Sequence, residues 1–317
     1  MTPMQCKFSL GLFSPLLLAA VLTGCSAGDE PAAPASTEIA PSEKPPQTAT
    51  RVDAPTSSGL SLSEVLASQP DKAKARFDAR NPEQTLQFFG IEPGMTVVEA
   101  LPGGGWYSKI LIPYLGEEGR LIGVNYSAEM WPLFGFFGEE QIEGFKVWTE
   151  TWPVQAEAWR GDGGASLGAY EFGKVPDSAA GTVDAVLMVR ALHNLSRFES
   201  QGGFLSSAVS DVHKLLKVGG VVGVVQHEAP ADWPQEWAQG GQGYLKKAEL
   251  IALMTAAGFE LEAESDVNAN PRDVPGEGDV VWRLPPSYNG TSDDPELKAE
   301  VDAIGESNRM TLKFRKT

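Results

Sequence analysis

The sequence predicts an α/β fold built on a mostly parallel β-sheet. Short apolar segments with strand composition alternate with segments of helical periodicity from about residue 60 onward, and strands joined by helices are typical of parallel sheets. A local pattern adds to this. The apolar segment Thr96–Ala100 is followed by a turn with three consecutive glycines, Gly103–Gly105. Because glycine lets the backbone approach a ligand closely, this pattern predicts a nucleotide-binding crevice.

Seven strands and several helices can be placed along the chain. A helix opens at Asn81-Pro82-Glu83, and others are predicted at 106–115, 204–216 and 246–257. Residues 127–164 carry four tryptophans and predict a helix with an irregular cap over the crevice, in which the tryptophans form an apolar lid or simply pack the segment. Lys217–Gly220 predicts the turn before the fifth strand. The predicted strands are 95–100, 121–125, 165–172, 183–190, 221–226, 259–265 and 310–314.

The charge of the chain excludes one class of partner. There are 42 acidic and 25 basic residues, which give a formal net charge of −17, and Lys and Arg form no run. Such a surface repels nucleic acid. The sequence therefore predicts a small-molecule ligand and no nucleic-acid partner.

The first 25 residues predict export. Lys7 precedes the apolar segment Phe8–Leu22, which is short for a membrane span and typical of a signal peptide. Leu22-Thr23-Gly24-Cys25 resembles the lipobox of bacterial lipoproteins, which implies cleavage after residue 24 and a lipid on the Cys25 sulfur. An ordinary secretory signal or a short anchor is the alternative. The only other cysteine is Cys6, so no disulfide framework is predicted.

The segment that begins at Cys25 predicts a tether. Residues 25–59 are rich in Pro, Ala, Ser and Thr, and they lack the large apolar side chains that a fold must bury. Ser26, rather than an acid, follows the cysteine and implies sorting to the outer membrane, facing the periplasm. The predicted organisation is a signal peptide at 1–24, a disordered tether at 25–59 and a folded domain at 60–317. Membrane contact is expected only through a lipid on Cys25.

Several motifs in order resemble the class I S-adenosylmethionine-dependent methyltransferases. They are Pro93–Glu99 with Pro102–Tyr107, the turn at Leu215–Val221, and Ala256–Phe259 before the sixth strand. More narrowly, the first two segments and Leu312–Lys316 resemble a group of uncharacterised exported bacterial methyltransferases. The resemblance covers about residues 60–317. It implies a Rossmann-like, doubly wound sheet of seven strands, mostly parallel with an antiparallel C-terminal strand, and S-adenosylmethionine as the cofactor.

The resemblance also implies which residues bind the cofactor. The glycine turn is expected to pass beneath its methionine part, with Glu99 near its amino group. Asn125 ends the second strand, where the family usually has an acid that holds the ribose hydroxyls, and its amide brings no charge. The expected cofactor-binding residues are Glu99, Pro102, Gly103, Gly104, Gly105, Tyr107, Asn125 and Arg190.

His193 and His227 are the candidate catalytic residues. They follow the fourth and fifth predicted strands, which are neighbours in the methyltransferase strand order, and carboxyl ends of strands line the crevice of a doubly wound sheet. A neutral imidazole can take a proton from an attacking hydroxyl or amine. The alternative is that each ring only fixes its loop. Together with Glu228 they resemble zinc ligands in type but not in spacing, so no metal is predicted.

Three functions follow from these observations. Methyl transfer to an unknown, small-molecule acceptor is the leading one. An exported binding protein with a methyltransferase-like fold and no methyl-transfer activity is the second, because S-adenosylmethionine is made in the cytoplasm. A nicotinamide-dependent oxidoreductase is the third, although no Gly-x-Gly-x-x-Gly motif is present.

Overall fold

A seven-stranded sheet runs through residues 59–317, which are the residues that the computed structural model describes. Its strands are β1 (Thr96–Ala100), β2 (Arg120–Asn125), β3 (Ser166–Glu171), β4 (Val183–Val189), β5 (Leu216–His227), β6 (Phe259–Ser265) and β7 (Arg309–Lys316). The order is β3-β2-β1-β4-β5-β7-β6. Neighbours from β3 to β5 pair in parallel, whereas β7 is antiparallel to β5 and β6. The predicted Rossmann-like fold is thus confirmed, including its antiparallel C-terminal strand.

Helices cover both faces of the sheet. Val97 and Val98 are adjacent in β1, both are fully buried, and they belong to opposite cores. Burial on both faces explains why the strands appear as continuous apolar segments. The helices in this part of the chain are α1 (Leu62–Ala67), α2 (Asp71–Lys74), α3 (Phe77–Arg80), α4 (Pro82–Phe89), α5 (Ser108–Leu115), α6 (Glu139–Lys146), α7 (Trp148–Arg160), α8 (Leu192–Arg197), α9 (Glu199–Gly202), α10 (Phe204–Leu215), α11 (Lys247–Ala256) and α12 (Pro295–Ile304).

Two predicted boundaries were wrong. The segment Lys217–Gly220 belongs to β5 instead of forming a turn, and β5 starts at Leu216. The pairing of β5 with β4 shifts register there, so the glycines accommodate an irregularity inside the strand. The helix predicted from residue 106 starts at Ser108, because a turn closed by the hydrogen bond from the Gly105 N–H to the Pro102 carbonyl precedes it.

The tryptophans of residues 127–164 do not form the predicted cap. Trp131 packs on one face of the sheet, stacked on Phe145 at 3.8 Å between ring centroids. Trp148 and Trp152 stack on each other at 5.4 Å on the other face. The expected helical content is present as α6 and α7. These side chains therefore build the core and leave the crevice to other segments.

Several predictions concern residues outside the described range. The signal peptide, the Cys25 lipid site and residues 25–58 of the tether stay predictions. Within residues 59–317, no helix combines the length and apolarity needed to cross a bilayer.

Candidate active site

The turn after β1 is exposed at its first two glycines and covered at the third. Leu101 directly follows the strand with φ +53°, a conformation unusual for a residue other than glycine. Gly103 and Gly104 are exposed, whereas Gly105 is buried. A Cβ on Gly105 would lie 2.3 Å from the Trp159 ring, while one on Gly104 would meet nothing within 4 Å. Free backbone is therefore offered at positions 103 and 104.

A cavity of about 810 Å³ lies beside this turn. The carboxyl ends of β1, β4 and β5 meet there, which is where doubly wound sheets bind ligands. The segments 69–76 and 281–287 cover it. Its lining includes Lys72, Arg76, Arg80, Pro102, Gly103, Gly104, Trp106, Lys109, Arg190, His193, Asn194, His227, Trp282, Glu306 and Ser307.

Arg190 lines the cavity with a strained backbone. It directly follows β4 with φ +58°, and its N–H donates to the Val225 carbonyl at 2.7 Å. Non-glycine residues in this region cost about 1–3 kcal/mol and cluster at functional sites. The buried Nε of Arg190 has no hydrogen-bond partner among residues 59–317, and the same holds for Nε1 of Trp106 and Oδ1 of Asn194. Three unsatisfied polar groups thus belong to one cavity.

Three further arginines share one carboxylate at the cavity wall. Glu306 lies 2.5 Å from Arg76 and 3.4 Å from both Arg80 and Arg309. Burial alone would raise the pKa of Glu306, but these three cations hold its pKa below the ordinary value. Burial and the nearby Arg190 lower the pKa of Arg80 to about 10, so Arg80 stays charged at neutral pH.

The two predicted catalytic imidazoles lie side by side in this cavity. The ring centroids of His193 and His227 are 5.4 Å apart. Nδ1 of His193 lies 3.4 Å from Oε1 of Gln226, whose Nε2 donates to the Gly243 carbonyl. Since Oε1 can only accept, Nδ1 of His193 carries the hydrogen and Nε2 keeps its lone pair. Nδ1 of His227 lies 2.6 Å from Oγ of Ser307.

Both imidazoles are neutral at physiological pH. Burial lowers the pKa of His193 to about 4, and Arg190 adds to the effect. Burial lowers the pKa of His227 well below its ordinary value, helped by His193 and by three arginines. Each ring can therefore accept a proton but is a weak base, chiefly because it is buried and also because cations lie near it.

Half of the expected cofactor-binding residues lie outside the cavity lining. Pro102, Gly103, Gly104 and Arg190 line it, whereas Glu99, Gly105, Tyr107 and Asn125 do not. Glu99 accepts a hydrogen bond from Ser108 Oγ at 2.6 Å. Burial raises its pKa to about 7, despite that hydrogen bond.

Asn125, at the end of β2, is buried and does not line the cavity. Its Oδ1 accepts a hydrogen bond from the N–H of Tyr126 at 2.9 Å. The buried Tyr126 side chain reaches across to the residue that follows Arg190 and donates to the Ala191 carbonyl at 2.6 Å. Since β1 lies between β2 and β4, this contact bridges the neighbours of β1 on either side.

Several lining residues were not predicted from the sequence. Lys72 and Arg80 come from short helices ahead of the sheet, Arg76 lies between those helices, and Glu306 lies three residues before β7. Arg80 and Glu306 are 226 residues apart in the chain. No local pattern marks such a pair. Among the described residues, no group of three His, Cys, Asp or Glu side chains is placed to hold a metal ion.

Comparisons with known proteins identify similar folds and do not identify the function of this chain. No protein family and no curated protein matches the sequence. Among solved structures, the cyclase SpnF is 15% identical over 75% of this chain and 81% of its own, with a TM-score of 0.49. A geranyl diphosphate C-methyltransferase from Streptomyces coelicolor A3(2) is 16% identical over 78% of this chain and 83% of its own, with a TM-score of 0.48. A putative sarcosine dimethylglycine methyltransferase from Galdieria sulphuraria is 14% identical over 82% of this chain and 91% of its own, with a TM-score of 0.45.

These values are too low to say what this chain does. The strand order, with its antiparallel β7, defines a methyltransferase-like Rossmann fold by itself. A fold hosts many activities, so the activity has to be argued from the cavity.

Proposed function

We propose that this chain is an S-adenosylmethionine-dependent methyltransferase acting on a small-molecule acceptor. One observation carries the proposal. The exposed Gly103–Gly104 backbone, Arg190 and two neutral imidazoles share one cavity at the carboxyl edge of a methyltransferase-like sheet. Unsatisfied polar atoms on Trp106, Arg190 and Asn194 support a ligand there, because buried polar groups normally have partners.

The residues fit the amino-acid end of the cofactor. Gly103 and Gly104 leave room for it beside the backbone of the turn. The Trp106 ring, which could face a sulfonium, already has the Arg80 guanidinium 4.6 Å from its centroid. At the nucleoside end, Asn125 is buried and bonded to its neighbour. We infer that binding of the whole cofactor is opposed by the hydrogen bonds of Asn125 and Tyr126.

The chain's own groups supply alignment and a proton acceptor. When bound, S-adenosylmethionine supplies an electrophilic methyl group. The cavity holds the acceptor next to the glycine turn, and held geometry replaces a bimolecular encounter. Nε2 of His193 has the free lone pair that can receive the proton of an attacking hydroxyl or amine. His227, fixed by Ser307, packs beside it.

Titration calorimetry on the full-length chain tests this function. We expect heat on addition of S-adenosylmethionine and none with NAD. Gly104→Trp should abolish the heat, because its side chain enters the cavity, and Gly144→Trp on the exposed side of α6 should not. Absence of S-adenosylmethionine binding at millimolar concentration, or equal binding by both variants, would refute the proposal.

We also propose that the chain is an exported lipoprotein, held at the outer membrane by a lipid on Cys25 and facing the periplasm. The support is the segment Leu22–Cys25 after the apolar run. Labelled palmitate should be incorporated into the wild type and not into Cys25→Ala, with Cys6→Ala as the matched control. Equal labelling of the two variants would contradict the assignment.

A further inference from the structure

The charge of the cavity is opposite to that of the chain. The protein has a formal net charge of −17. Yet five lining residues are basic, and Glu306 is the single acidic residue of the lining. The basic residues of the lining are Lys72, Arg76, Arg80, Lys109 and Arg190. Grouped cations inside an acidic protein attract anions into that place.

We propose that this cavity binds the carboxylate or phosphate group of an anionic methyl acceptor, held by Arg190 and Arg80. The identity of the ligand as the acceptor rests on the proposed methyl transfer, whereas anion binding itself does not. Arginine suits this role because its planar fork donates two parallel hydrogen bonds to either kind of oxyanion.

The ion pairs of the cavity wall do not neutralise all of its positive charge. Glu306 is shared by Arg76, Arg80 and Arg309, and its ion pairs do not include Arg190. The buried Nε of Arg190 has no partner within residues 59–317. The charge of Glu306 reaches Arg190 but is already shared among three ion-paired arginines, so an anion from outside would complete this arrangement.

The cofactor by itself does not supply the missing charge. S-adenosylmethionine has one carboxylate, but it also carries an ammonium and a sulfonium. Its binding therefore adds net positive charge to a wall that already has four more cations than carboxylates, counting five basic residues and one acid. An anionic acceptor relieves this repulsion, and it places its negative charge beside His193 and His227, which favours protonation of the imidazoles.

The experiment measures anion binding to the full-length chain without cofactor. Inorganic phosphate and malonate are the two probes, titrated at constant ionic strength against chloride and followed by melting temperature and calorimetry. We expect one or both to raise the melting temperature well beyond chloride. The probe that binds more tightly distinguishes a phosphate from a carboxylate acceptor.

Two substitutions with the same charge change localise the site. Arg190→Gln should weaken binding of the better probe at least tenfold. Arg120→Gln is the control, because Arg120 is exposed at the start of β2, on the opposite edge of the sheet. Arg190→Lys should bind with intermediate affinity, since it keeps the charge and loses the fork. Arg190→Gln should melt no lower than wild type in chloride, because it removes an unpaired charge.

The outcomes separate this inference from the proposed function. Probe effects equal to chloride, or equal loss in both glutamine variants, would overturn the anion site and leave cofactor binding untouched. Titration of S-adenosylmethionine in saturating probe gives the last distinction. Simultaneous binding supports an acceptor subsite. One-for-one displacement would mean that Arg190 holds the cofactor's own carboxylate, and the acceptor assignment would fail.

Discussion

The carboxyl edge of the sheet has two halves of opposite character. At the ends of β1 and β2, Asn125 is bonded to its neighbour, Tyr126 is bonded to Ala191, and the Trp159 ring covers Gly105. At the ends of β4 and β5, an open cavity is lined by two imidazoles and by Arg190, whose Nε has no partner within residues 59–317. The glycine turn after β1 is thus divided between the two halves: Gly105 is covered, whereas Gly103 and Gly104 line the open cavity. The difference teaches that motif position and free binding groups need not coincide.

The largest expected effect separates two adjacent glycines. Gly105→Ala should destabilise the protein by about 3 kcal/mol, because φ is +76° and the new Cβ meets Trp159. Gly104→Ala should stay within about 1 kcal/mol of wild type. Urea denaturation of both variants measures this. Similar costs would remove the distinction between a closed and an open half of the turn.

The imidazoles of the open half should lower the free energy of unfolding at acidic pH. Because the pKa of His193 is lowered from 6.5 to about 4, the unfolded chain binds a proton in that interval that the folded chain refuses. Stability is therefore full above pH 6.5 and falls by roughly 3 kcal/mol towards pH 4. His193→Gln should lose that part of the slope in denaturation at several pH values. His213→Gln, on the side of α10, should change the pH dependence of stability little. If the two variants had the same pH dependence, the burial of His193 would be contradicted.

The carboxylate of the closed half should act in the opposite direction. The pKa of Glu99 is raised to about 7, so the folded chain keeps a proton that the unfolded chain releases above about pH 4.5. Wild-type stability therefore decreases as pH rises through this window. Glu99→Gln should stabilise the protein at pH 8 by about 2 kcal/mol, while Glu118→Gln on an exposed turn should be neutral. No gain at pH 8 would show that Glu99 is solvated.

The smallest expected effect concerns the closure itself. Tyr126→Phe removes the hydrogen bond to Ala191 and should cost about 1 kcal/mol. If closure opposes the cofactor, its affinity should rise about fivefold. Tyr114→Phe is the matched control, because it also loses one hydrogen bond from a tyrosine to a carbonyl, at 3.0 Å. Equal calorimetric affinities in both variants would show that Tyr126 does not gate the site.

Local pattern was sufficient for most of the fold. The bounds of β6 were predicted as found, and strands β1 to β4 within one residue at each end, because each is a short apolar run between turn residues. The start of β5 was missed, since Gly219 and Gly220 are typical of a turn and only pairing with β4 extends the strand through them.

The site was predictable only where it follows a strand. The glycine turn and His193 lie within a few residues of the ends of β1 and β4, and His227 ends β5, so their place was inferable. The arginines of the first helices and Glu306 were not, because tertiary packing brings them to the cavity across more than 200 residues of chain. The closure by Tyr126 was missed for the same reason.

The completion of the sheet depends on β7. This strand follows β6 in the chain, yet it separates β5 from β6 and pairs with both. Until residue 316 has left the ribosome, β5 has an open edge and β6 has no partner. Loss of β7 alone would therefore uncover the backbone edges of two strands at once, and unpaired strand edges are templates for aggregation.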